Sequence, residues 1–120
     1  MMKHFDIRIA LLFILLILSR VTLATSPLDV ALSNFQNGQY DAALKDFRIL
    51  HSESPEDPDL TFYLARSLYR KLELKTAQTL LTKSLKAFPD HVESHYLLGS
   101  VQLSLVPEVN IFRKASLAKK

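Results

Sequence analysis

The 120-residue chain contains no cysteine, no tryptophan and only two glycines. Without cysteine there is no disulfide, no thiolate metal site and no leader ending in an acylated cysteine. One glycine belongs to an Asn-Gly pair at 37–38, which leaves nothing for a glycine-rich loop that cradles phosphates or dinucleotides. No run alternates apolar with polar residues, so strands are not expected. An excess of one charge is missing too. Lys3, Arg8 and Arg20 are three of the 15 basic residues and Asp6 is one of the 12 acidic ones, leaving 12 against 11 beyond residue 24. That balance lacks the basic stripe nucleic-acid binding requires, and the pI of 9.3 comes largely from the N-terminal segment. There is no G-x-S-x-G elbow, and no serine, acid and base share a spacing that implies a nucleophile and its activator. No enzyme is expected.

What is present begins with a leader. Lys3 and Arg8 flank a short polar start, Ile9 to Leu18 are all apolar, Arg20 ends the run, and Thr22-Leu23-Ala24 supplies small residues. A spanning helix needs about 20 apolar residues and a signal-peptide core about 7–15, so this run of ten fits a signal. The expectation is cleavage after Ala24, giving a mature chain that starts at Thr25. The alternative is an uncleaved inner-membrane anchor over residues 9–24, with Arg20 snorkelling to the interface.

Beyond the leader the chain repeats itself at an offset of 34 residues. Ala31 is echoed by Ala65 and Gly99, Val30 by Leu64 and Leu98, Ala43 by Ala77, Phe47 by Leu81, and Pro55 by Pro89. Such a period marks stacked helix-turn-helix units. Ser26-Pro27 and Asp57-Pro58 each read as an N-cap followed by proline in the first helical position. Asn37-Gly38 reads as the turn inside the first unit, where glycine takes positive φ. The second helix is expected from near Asp41, the third from Pro58, the fourth over about Lys75 to Phe88. Leu72-Glu73 is the second turn, without a glycine. Asp90 with Glu93 reads as a capping box for a fifth helix, which must end before Pro107.

These residues resemble the tetratricopeptide repeat, whose pattern is W-x2-L-G-x2-Y, A-x3-F, P. The second unit carries it as Thr61-x2-Leu64-Ala65-x2-Leu68, Ala77-x3-Leu81, Pro89. The first carries Pro27-x2-Val30-Ala31-x2-Asn34, Ala43-x3-Phe47, Pro55, and the third begins His95-x2-Leu98-Gly99-x2-Gln102. The tryptophan is absent throughout, and Asn34 and Gln102 stand where the family has tyrosine. The resemblance implies an all-α superhelix of antiparallel hairpins, with two complete repeats (25–57 and 58–91) and a partial third with a tail (92–120). In that third unit Ile111 occupies the place of the helix-B alanine. Phe112-Arg113-Lys114-Ala115 looks like a late second helix with about three residues deleted, or else 107–120 is an inserted segment and further repeats follow.

The resemblance also implies a role: binding a protein or peptide in the concave groove that the first helices line. Carried over by position, Phe62, Arg66, Tyr69 and Arg70 face that groove with Tyr96 and Ser100, extended by Leu28, Leu32 and Phe35. Aromatic residues and arginines dominate binding hot spots, and two arginines can receive a carboxylate. The alternative leaves Phe62 and Tyr69 as packing residues and both arginines solvated. With its leader, the chain is expected to be an exported adaptor or scaffold in a cell-envelope or secretion complex, periplasmic or secreted. The alternatives are a piece of a longer array or a membrane-anchored subunit. His91 and His95 stand four apart, but a zinc site needs further ligands that no cysteine or nearby histidine supplies. No metal or cofactor is expected. His95 falls at the family's aromatic packing position.

Overall fold

The computed structural model describes residues 2–18 and 25–118. The cleavage site expected at Ala24 lies outside them. Seven helices follow in order: α1 (Met2–Leu18), α2 (Pro27–Gln36), α3 (Tyr40–Glu53), α4 (Pro58–Arg70), α5 (Leu74–Ala87), α6 (Val92–Leu105) and α7 (Pro107–Ala118). No strand occurs among the described residues. From α2 onward each helix packs on the next, and α4 also touches α6. This is the all-α stack of hairpins the 34-residue period implied. Along α1 the side chains from Leu11 to Leu18 are exposed, and no described helix is long and apolar enough to cross a membrane.

Helix starts follow the capping chemistry. The Ser26 hydroxyl accepts the Asp29 amide at 3.1 Å while Asp29 accepts the Ser26 amide at 3.3 Å, a reciprocal box with Pro27 opening the helix. Asp57 accepts the amides of Asp59 and Leu60 at 2.9 and 3.3 Å ahead of Pro58. At α6 the expected box of Asp90 with Glu93 is replaced. His91 is the N-cap, its Nδ1 accepting the Ser94 amide at 3.2 Å. The imidazole reaches the same amide a carboxylate would have capped, and it also crosses to α4, as described below.

Small residues set the hairpins. Ala31 and Ala43, like Ala65 and Ala77, are fully buried, so the paired helices approach closely and the larger Phe47, Leu68 and Leu81 fill the space between. Phe47 stacks on Tyr63 at 5.5 Å between ring centroids, joining the first hairpin to the second. Asn34, standing where the family has tyrosine, donates to the Asp46 carboxylate at 2.8 Å and ties α2 to α3.

The turns repeat as well, up to a point. Gly38 has φ +77° and Leu72, 34 residues later, φ +63°. A leucine there bears the left-handed strain a glycine avoids, and at 64% exposure it gains little by packing. At the third corresponding place the pattern stops. Val106 is extended (φ −66°, ψ 126°), one residue separates α6 from α7, and Pro107 begins the new helix at once. Proline disfavours helical conformation in the residue before it, so Val106 cannot repeat the earlier turn. The consequence shows on α6. Thr61, Ala65 and Leu68 of α4 are buried beneath α5, whereas His95, Gly99 and Gln102 of α6 are exposed. A Cβ placed on Gly99 would meet nothing within 4 Å. The close approach expected at Gly99 and the packing expected of His95 are therefore not made, because α7 does not lie back on α6 as α5 lies on α4.

Candidate functional site

The first helices of the hairpins, α2, α4 and α6, share a concave side. On it lies an open groove of about 740 Å³ lined by Phe35, Phe62, Arg66, Tyr69, Arg70, Val92, Glu93, Tyr96, Leu97 and Ser100. All six residues placed there from the sequence (Phe62, Arg66, Tyr69, Arg70, Tyr96 and Ser100) are among them, and Phe35 extends the groove from α2. Leu28 and Leu32 do not line it; they are half-buried against the core instead. The reason is phase. Positions 62, 66, 69 and 70 lie on one face of α4, and the 34-residue offset brings 96, 100 and their neighbours to the same side of α6.

Both arginines are exposed yet held. The Arg66 guanidinium carbon lies 4.7 Å from the Phe35 ring centroid and that of Arg70 lies 4.9 Å from the Tyr40 ring. Arg70 Nη2 also donates to the Tyr40 hydroxyl. Phe35 and Tyr40 meet edge to face at 5.2 Å, forming one aromatic shelf under two cations. Such contacts are each worth about 0.5–1 kcal/mol at exposed sites and restrict the side chains before any partner arrives. Among the described residues neither arginine has a carboxylate within salt-bridge distance. The other basic groups that do are Arg48 with Glu73, Lys71 with Asp41 and His91 with Asp59. Tyr40, Val92, Glu93 and Leu97 escaped the sequence reading. Tyr40 opens a second helix rather than a first one, and its only sequence signal is its place two residues after Asn37-Gly38.

The far wall is fixed by hydrogen bonds between α4 and α6. Ser104 donates to the Ser100 carbonyl at 3.0 Å, so the Tyr69 hydroxyl, 3.4 Å from Ser104 Oγ, is the donor of that pair. His91 Nδ1 accepts the Ser94 amide, which places the ring proton on Nε2. That nitrogen lies 2.9 Å from Asp59 Oδ1, on the first turn of α4. His95 turns elsewhere, its Nε2 lying 2.6 Å from the Pro89 carbonyl. The two histidines thus have separate partners, and no group of three or more metal-ligating side chains occurs among the described residues.

A right-handed stack of helical hairpins with small residues at each crossing and an aromatic groove on its concave side is a tetratricopeptide-type repeat. Repeats of this type bind proteins and are typically non-catalytic. The family model described as anaphase-promoting complex, cyclosome, subunit 3 (ANAPC3) matches residues 36–106, from the end of α2 through α6. The chain belongs to that family. No curated protein and no solved structure matches it significantly.

Proposed function

We propose that this chain seats an extended peptide or a partner helix in the α2–α4–α6 groove, with Arg66 and Arg70 meeting an acidic or carboxylate-bearing part of that partner. The observation that carries the reading is the pair of guanidinium groups held on the Phe35–Tyr40 shelf without a carboxylate of their own. Beside them Phe62, Tyr69 and Tyr96 offer apolar area that desolvates a charged contact and strengthens it. The partner's role is recognition, and the chain's is that of an adaptor. Changing Arg66 and Arg70 together to alanine should leave helicity intact, since both are exposed. Partner binding should weaken by about 1.5–3 kcal/mol per lost charged hydrogen bond. A pull-down from host extract with wild-type and double-variant baits, with circular dichroism on both, decides it. Equal recovery of the same partners removes the groove from consideration.

The same reading places the adaptor outside the cytoplasm, in a cell-envelope or secretion complex, with residues 1–24 as its export leader. Its support is the ten-residue apolar run behind Lys3 and Arg8 and the exposure of that run along α1. Intact mass of the protein from its native host should correspond to a chain starting at Thr25. A membrane-bound species that keeps Met1 would favour the anchored subunit instead.

A further inference from the structure

Helix α6 is apolar on both sides. Leu97 and Val101 point into the core, while Val92, Tyr96, Gly99 and Leu103 follow one another at i, i+4, i+7, i+11 on the outside, with Val92, Tyr96 and Leu103 exposed by 72, 80 and 61%. A helix that is apolar all round belongs between two neighbours. On α4 the face equivalent to His95, Gly99 and Gln102 has its neighbour, α5. On α6 that place is open, and the helix that should fill it is the one that follows in the chain. Yet α7 is held off by its one-residue connection. Its residues 113 to 117 circle the helix, and all five are exposed, Leu117 by 68%.

We propose that the open face of α6 is covered by α7 of a second copy of this chain, the two copies exchanging α7 reciprocally. Three observations select a second copy over other occupants. Each chain carries one open helix-B place and one unpacked helix, so two chains satisfy one another without remainder. The Val106-Pro107 connection prevents closure within a chain but not between chains, and a short, proline-stiffened hinge is the recognised cause of such exchange. Finally, α7 brings Ala115 with small and apolar neighbours, the residue type that Ala43 and Ala77 present to Ala31 and Ala65 in the first two hairpins. Gly99, with nothing over it, is the small residue on the receiving side. The exchange leaves the grooves on the opposite sides of both α6 helices, so one particle presents two.

The test uses the full chain in detergent, which keeps α1 dispersed, and reads mass by native mass spectrometry. Wild type should give twice the 13.7 kDa chain mass. Replacing Val106 and Pro107 with Asn-Gly-Gln, the turn of the first hairpin, should let α7 fold back and return the single-chain mass with helicity retained. Gly99→Arg, which projects a charge from the open face, should also give single chains. In a mixture of a Gly99→Cys chain and a mass-labelled Ala115→Cys chain, a short bis-maleimide should join the two different chains in preference to like pairs; no native cysteine competes. A single-chain wild type overturns the proposal. So does a dimer that survives the new turn or Gly99→Arg, since α1 or another surface would then be holding it. Cross-linking of like chains only does the same.

Discussion

The second and third hairpins begin alike and end differently. Helices α4 and α6 both follow a side-chain cap, both carry a leucine and a small residue at the same phase, and both present aromatic residues to the groove. They part at a single residue. Leu72 accepts a left-handed backbone, the chain reverses over residues 71–73, and α5 closes over Thr61, Ala65 and Leu68. Val106 is extended before Pro107, and α7 leaves the stack. Helix propensity does not distinguish the two, for α7 is as continuous a helix as α5. What differs is the backbone conformation available to the link, and that alone decides whether a helix becomes a layer.

The largest expected effect separates the two faces directly. Leu68→Ala should cost about 2–5 kcal/mol in chemical denaturation, because it empties a site that is 1% exposed. Gln102→Ala, at the equivalent place on α6, should change stability by under about 0.5 kcal/mol. Similar losses at both would mean that α6 is as covered as α4. Next comes the small residue of each face. Ala65→Leu should cost about 1–3 kcal/mol by overpacking. Gly99→Ala should stabilise by about 0.5–1 kcal/mol, as a mid-helix glycine whose added methyl meets nothing. A melting temperature unmoved by Ala65→Leu would contradict the close hairpin crossing. The smallest effect concerns the turns. Gly38→Ala should lose about 1 kcal/mol to left-handed strain. Leu72→Gly should gain up to about 1 kcal/mol, since relief of that strain outweighs the added freedom of the unfolded chain. If Leu72→Gly destabilises, the leucine side chain has a packing role that its exposure does not reveal.

Much of this was legible beforehand, and the reasons are local. Ser26-Pro27 and Asp57-Pro58 announce their helices because a capping oxygen and a preset φ act within three residues. The groove was legible from helical phase combined with a constant offset, which carries Phe62 to Tyr96 and Arg66 to Ser100. What escaped depends on contacts distant in the chain. His91 outcompetes Asp90 as the cap because its second nitrogen finds Asp59, 32 residues away. Tyr40 joins the site through Arg70, 30 residues on. Leu72 gives no sign of a left-handed turn, since nothing in its side chain asks for one. The hairpin that failed to close had its cause in plain view at Pro107, but a proline says only what the preceding residue cannot do.

The His91 bridge also bears on how the stack yields under load. One ring holds the start of α6 through Ser94 and the start of α4 through Asp59, so it works as a clasp across the rim of the groove. Widening the groove at that end stretches the Asp59 bond, and releasing it frees the ring that caps α6. Neither can slacken alone. The mouth near Phe62 and Val92 is therefore stiff, while the far end, where Arg66 and Arg70 rest on rings rather than on hydrogen-bonded struts between helices, is the compliant one. A partner entering this groove would meet a rigid jaw at one end and a yielding one at the other.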